Sequence, residues 1–209
     1  MREQSELKAE LLQMMRELWS REDFCLSDSE RSARLRPEIM RRLLGLVMTD
    51  DERAADLGLP AGCRVRESAK IIAPQQLTCG QHCWFGENSM TDASGGLTIG
   101  DHTTIASGVF VWTHTSVLSN VMGNNEPGNP WIRRAATSIG SRVFIGGPSV
   151  IYPGVKIGDG VVVMPMSVVT GDVPDNVVVA GAPAKVVCSI DEAWIQSATE
   201  QLKAAAEGG

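Results

Sequence analysis

Tyrosine occurs once in this chain, phenylalanine four times and histidine three times. With aromatics at 5% of 209 residues there is little material for a broad aromatic core, whereas 21 glycines suit narrow coils with crowded corners. Cysteines stand at 25, 63, 79, 83 and 188, an odd number with no paired Cys-x-x-Cys pattern, and read as reduced, mostly buried thiols. Cys79, His82 and Cys83 lie close in sequence, but a closed zinc site would lack its fourth ligand, so no metal is expected. Positive charge is in deficit: 19 Lys and Arg against 25 Asp and Glu give a net charge of −6, which argues against a nucleic-acid partner. No apolar run reaches membrane-spanning length, so no membrane partner is expected. The first twenty residues carry Arg2, Glu3, Glu6, Lys8, Glu10, Arg16 and Glu17, which is not a signal peptide; a cytoplasmic location is the expectation. No Gly-x-Ser-x-Gly nucleophile motif is present.

What the chain has instead is a six-residue period. Ile139, Ile145, Ile151, Ile157, Val163 and Val169 stand six apart without a break. Val143, Ser149, Val155, Val161, Ser167 and Val173 follow them at the fourth position after each anchor. The period is neither 2 nor 3.6, so neither an ordinary sheet nor a helix explains it. A fixed short repeat that buries one aliphatic per unit is the pattern of a solenoid, built here from short strands and tight corners.

The rest of the chain is organised around this array. Leu7, Leu11, Met14 or Met15 and Leu18 recur at helical spacing, and Ser27 and Asp28 offer caps for a second helix that Pro37 would end or kink. Ile39, Leu43 and Val47 form a further apolar stripe. Residues 1–64 are read as a helical segment and linker, with Gly58, Pro60 and Gly62 in the linker; residues 65–187 are read as the coil. Ile71, Leu77 and Cys83 suggest early hexads, and the phase slips between Cys83 and Ile99. Clean phase returns at Ile99, Ile105 and Val111, then breaks again, because 28 residues separate Val111 from Ile139. The Asn-, Gly- and Pro-rich text between them predicts a loop protruding over about 115–137, and long loops in a compact repeat are usually functional. Residues 188–209 are read as a terminal segment with a short helix, its Trp194, Ala198 and Leu202 on one face suited to cap the coil.

On the strength of the six anchors, the chain resembles the hexapeptide-repeat acyltransferases. The resemblance implies a mainly β fold, a left-handed parallel β-helix of triangular section with three hexads per turn. The helical segment ahead of the coil is similar in placement to that of the maltose and galactoside acetyltransferases. The family likeness also implies acetyl-CoA as donor, a homotrimer, and a small-molecule acceptor such as a sugar.

Candidate site residues follow from the chemistry and the resemblance together. Acyl transfer to a hydroxyl needs a base, and histidine titrates near neutral pH. His114 sits where coil and protruding loop meet, the junction at which similar acetyltransferases place their catalytic histidine. The resemblance puts Phe144, Gly146 and Gly147 along the pantetheine arm of the donor, Phe144 standing where relatives often carry Trp. It puts Pro183 and Lys185, in Gly-Ala-Pro-Ala-Lys-Val, beside the adenine and phosphate end. Relatives often have a Lys where Gly171 stands, which removes one phosphate contact. Asp92, Asn88 and Trp131 are the candidates for holding acceptor hydroxyls.

The reading is O-acetylation of a sugar or related hydroxyl compound by direct transfer, with N-acetylation of an amino sugar or nucleotide-linked amino sugar as the alternative. A serine acetyltransferase needs a longer helical domain than about 70 residues allow. A γ-type carbonic anhydrase needs more clustered histidines than His82, His102 and His114 offer, and a non-catalytic scaffold is the remaining class.

Overall fold

Each late hexad supplies one short strand and one corner because both its first and its fifth residue point inward. The strands Phe144–Ile145, Val150–Ile151, Lys156–Ile157, Val162–Val163 and Val168–Val169 each end on an anchor. Ile145, Ile151, Val161 and Val163 are fully buried, and Val143, Ser149, Val155 and Ser167 nearly so. Branched residues favour strands and interlock on a pleated face. Burying each Ile side chain contributes roughly 1.5–3 kcal/mol.

The computed structural model describes residues 30–124 and 129–207, with seven further positions between 6 and 17. Leu7, Leu18, Ser27 and Asp28, named above in the first helices, lie outside the described residues. The chain divides into two compact units, residues 1–49 and 50–209. In the first, helix α1 (Glu30–Gly45) runs on through Pro37, which was expected to end or kink it near this point. Ile39, Leu43 and Val47 are exposed and Leu44 is buried.

The second unit is a parallel β-solenoid with three faces. One face stacks six parallel strands from Arg64–Val65 to Val177–Gly181 and adds Ala184–Ser189 antiparallel at its edge. The others have five and four strands. Identical hexad positions stack in register, so the anchors form interior columns: Ile145 lies between Ile105 and Val163, Ile151 between Val111 and Val169, and Ile139 between Ile99 and Ile157. Helix α2 (Asp50–Asp56) occupies part of the expected linker and buries Ala54 in the same core.

The early turns depart from strict hexads in a systematic way. Their inward residues are Val65, Ile71, Cys79, Phe85, Thr91, Ile99, Ile105 and Val111. Steps of eight replace six on entering the third face, from Ile71 to Cys79 and from Thr91 to Ile99. The anchor column runs through Cys79, and Leu77 stands two residues before it on the same side of the strand; both are half-buried against the core. Cys83 is buried at the fifth-residue position of its hexad, two before Phe85.

The second break is an excursion from the third turn. The chain leaves as His114–Thr115, forms helix α3 (Val117–Val121), and returns as Arg133–Arg134 in an antiparallel two-strand ribbon. It rejoins the coil at Thr137–Ile139 on the third face. Helix α4 (Glu192–Glu207) follows the last strand, its first turn held by the Trp194 N–H donating to Asp191 Oδ1 at 2.8 Å. Trp194 and Leu202 are exposed, so the face expected to cover the coil end stands open. No described helix is long and apolar enough to cross a membrane.

Candidate active site

The two breaks in the period meet in space. Asp92 ends the strand Met90–Asp92 at the longer corner of the second turn, and Thr91 pairs with Val111 one turn on. That register sets Asp92 beside Thr113 and His114, the residues at which the chain leaves the coil. Gly95 permits the close approach: a Cβ there would collide with the carbonyl oxygen of Thr113, and its N–H donates to Thr113 Oγ1 at 2.8 Å.

Asp92 is fully buried, and both of its carboxylate oxygens are engaged. Oδ1 accepts the Ser94 N–H at 3.0 Å; Oδ2 accepts the Thr113 N–H at 3.0 Å and the Thr113 hydroxyl at 2.8 Å. Oδ2 also lies 2.7 Å from His114 Nδ1, which has Ser94 Oγ at 3.2 Å. Burial opposes ionisation of Asp92, but the N–H groups of Ser94 and Thr113 together with His114 outweigh it and bring its pKa down to about 2. The carboxylate is thus charged at any working pH. An acceptor-only carboxylate at Nδ1 fixes the proton on that nitrogen and leaves the Nε2 lone pair as the free basic position.

His114 is about one-third exposed and lines an open cavity of about 350 Å³. Trp112, Thr115, Ser116, Val117, Val150 and Tyr152 form most of its wall. The Trp112 ring meets the imidazole edge-on, with centroids 5.9 Å apart. Trp112 and Tyr152 were missed in the sequence. They are outward neighbours on consecutive turns, since the Trp112 N–H donates to the Ile151 carbonyl, and the intervening loop hides that 40-residue register.

Apart from Asp92, the other nominated residues lie outside this cavity. Asp92 was expected to hold acceptor hydroxyls, and its oxygens are already taken up by its own chain. Asn88 is a corner residue with φ of 55°, and its backbone N–H donates to Ser68 Oγ at 2.9 Å. Trp131 is exposed in the excursion, its N–H donating to Asn129 Oδ1. Gly146 and Gly147 were expected to admit a ligand to the main chain. A Cβ on Gly147 would strike the Ser107 carbonyl oxygen of the preceding turn, and one on Gly146 would meet the Pro165 ring at 2.9 Å. At both positions a side chain is thus excluded by the coil itself. Phe144 is exposed on the first face, and Pro183 and Lys185 are exposed around the hairpin joining the last two strands. None of these five candidate donor-binding residues lines the His114 cavity.

Residues 136–171 match the bacterial transferase hexapeptide family, described as six repeats, and residues 76–112 match the hexapeptide repeat of succinyl-transferase. Over these two stretches the coil carries hexapeptide repeats. Among curated proteins it is 40% identical over 98 residues to the putative lipopolysaccharide biosynthesis O-acetyl transferase WbbJ of Escherichia coli, covering 44% of this chain and 49% of that one. It is 35% identical over 134 residues to the galactoside O-acetyltransferase of Escherichia coli, covering 61% and 64%. The hexapeptide-repeat chain thus spans about half to two-thirds of the length of these relatives. Among solved structures, the hexapeptide-repeat-containing acetyltransferase VCA0836 of Vibrio cholerae superposes with a TM-score of 0.67 at 26% identity, over 79% of this chain and 96% of that one. The same protein complexed with acetyl coenzyme A gives 0.61.

Proposed function

We propose that this protein transfers an acetyl group from acetyl-CoA to a hydroxyl of a sugar or related small molecule, with His114 as general base. The observation that carries this reading is the His114–Asp92 pair: Nδ1 tied to a buried, permanently charged carboxylate, and Nε2 left free on the wall of an open cavity. In the reaction the acceptor oxygen forms a bond to the thioester carbonyl carbon as its proton passes to Nε2. The tetrahedral intermediate then expels the thiolate, which takes that proton back. Asp92 stabilises the imidazolium between the two steps and keeps the ring oriented. Trp112 and Tyr152 offer a flat apolar wall and one hydroxyl, a combination suited to a sugar ring.

Two similarities support the class of reaction. The E. coli relatives are named as O-acetyltransferases, and the V. cholerae neighbour binds acetyl coenzyme A. N-acetylation of an amino sugar is the second reading, and it uses the same base. Phe144, Pro183 and Lys185 remain the proposed contacts to the donor. They lie outside the cavity of a single chain, consistent with a homotrimer in which a neighbouring copy completes the site.

The test is thiol release from acetyl-CoA against a panel of sugars, amino sugars and nucleotide sugars. Release that depends on one of these acceptors, and that is lost in His114→Ala, supports the reading. Release that is unchanged in His114→Ala would remove the base. A monomer by light scattering that retains full activity would remove the shared site.

A further inference from the structure

The first two turns hold a second cluster of reactive side chains, which acetyl transfer leaves unused. The sulfurs of Cys63, Cys79 and Cys83 all lie within 4.8 Å of one another. They come from three points of the chain. Cys63 precedes the strand Arg64–Val65, Cys83 precedes Trp84–Phe85 one turn later, and Cys79 ends Leu77–Cys79 on the third face. The pairing of Arg64 with Trp84 stacks Cys63 on Cys83, and all three meet at the interior corner between the third and first faces. Sequence proximity had grouped Cys79 and Cys83 with His82; the coil brings in Cys63 instead, while the His82 ring stacks on that of His102.

Later turns fill the same corner differently. The Cys79 column continues as Ile99, Ile139 and Ile157, and the Cys63–Cys83 column continues as Thr103, Val143 and Val161. Three neighbouring inward positions therefore carry sulfur only at this end of the coil. Cys63 and Cys83 are buried, whereas Cys79 is half-buried and leaves a way in. The Cys63 thiol is directed at the Gly80 carbonyl at 3.2 Å and the Cys83 thiol at the Gly100 carbonyl at 3.0 Å, so both sulfurs are already oriented.

We infer that Cys63, Cys79 and Cys83 form a three-thiolate site for a soft metal ion of the copper(I) class. A metal–sulfur bond of about 2.3 Å sets ligand sulfurs roughly 4 Å apart, so sulfurs within 4.8 Å need move only a fraction of an ångström. Zinc favours four ligands, and the cluster offers three among the described residues, whereas thiolates select copper(I) without that demand. Binding exchanges thiol protons for the ion and changes no oxidation state.

The test titrates the reduced full-length chain anaerobically with copper(I) against a chromophoric chelator, and with cadmium(II) to read a thiolate-to-metal charge-transfer band. One ion per chain is expected, retained in a Cys25→Ser, Cys188→Ser double variant. A Cys63→Val, Cys79→Ile, Cys83→Val variant, which installs residues that later turns use in the same columns, is expected to lose the ion and the band. The single Cys79→Ile variant, a smaller change to the core, is expected to weaken copper(I) binding at least tenfold. Equal copper(I) affinity in the wild-type chain and in either column variant would overturn the proposal.

Discussion

The late coil, from Ile139 to Val169, and the middle coil, from Cys79 to Ile139, share the same three faces and interior columns, yet among the described residues only the middle part pairs a buried carboxylate with a histidine. The late coil keeps six-residue steps throughout. Its inward positions hold Ile, Val and Ser, and Gly147 approaches the main chain of the preceding turn so closely that no Cβ fits. The middle coil spends two extra residues at the corner after Thr91 and releases the chain after Thr115. Those departures let Asp92 and His114 project from adjacent turns into one another. Regular repetition leaves every turn equivalent to its neighbours; a polar pair with distinct roles requires turns that differ.

This contrast is sharpest in a pair of substitutions that should fail in opposite ways. His114→Ala is expected to lower thiol release by about 10²–10⁴-fold, the usual contribution of a histidine base, while leaving the thermal unfolding midpoint nearly unchanged. Ile151→Ala is expected to do the reverse. Ile151 is fully buried between Val111 and Val169, and its truncation should cost about 2–5 kcal/mol by chemical denaturation, with activity retained wherever the chain is folded. A large stability loss in His114→Ala would show that the middle coil is held together by its functional pair, and the contrast would collapse.

Asp92→Asn tests whether the pair is a unit. The amide cannot carry the charge that stabilises an imidazolium, so activity should fall roughly 10–100-fold, the range for losing a group that orients a functional histidine. A second readout separates this from mere structural damage. The carboxyl of Asp92 has a pKa of about 2 in the fold against an ordinary 3.8. Its contribution to stability is therefore complete above about pH 4 and lost as pH falls towards 2, and it amounts to roughly 2 kcal/mol. Asp92→Asn should flatten that acid limb in a urea series taken from pH 5 to pH 2. An unchanged acid limb would show that Asp92 is not the carboxylate held ionised in the fold.

The two parts of the coil were also unequally legible in sequence. A hexad is a local signal, so the late coil could be read from the spacing of Ile139 to Val169 alone. The same spacing placed the anchor at Leu77, whereas the eight-residue step puts Cys79 in register with Ile99 and leaves Leu77 two residues earlier on the same side of the strand. His114 stood out through its position beside the excursion. The contacts of Asp92 within the chain were not legible, because its partners Thr113 and His114 lie 21 and 22 residues away and only the register of stacked turns reveals them. Trp112 and Tyr152 were hidden for the same reason. The Gly146–Gly147 pair illustrates the limit from the other side: an absent side chain makes room, and sequence does not say whether ligand or neighbouring turn uses it.

Gly147→Ala addresses that last ambiguity. If the space belongs to the preceding turn, the added methyl group is expected to destabilise the coil by about 1–3 kcal/mol through overpacking against Ser107 and to leave the KM for acetyl-CoA unchanged in the folded fraction. A raised KM at unchanged stability would return the glycine to the donor site and make the late coil functional as well.

The smallest effect is expected at Asn88, and it separates corner from site. Asn88 holds φ of 55°, the left-handed region that Asn and Gly enter most readily. Gly108 occupies the equivalent corner one turn later with φ of 72°. Asn88→Gly should therefore shift stability by no more than about 0.5 kcal/mol, because a residue with the same backbone freedom replaces it. Asn88→Val should cost about 1–2 kcal/mol, since a β-branched residue resists the left-handed conformation. Neither should change the KM for the acceptor, because the backbone N–H that bonds Ser68 survives both substitutions. An acceptor KM raised several-fold in Asn88→Gly, with stability intact, would mean that the side chain reaches substrate, and would extend the site from the break in the period into a regular corner of the coil.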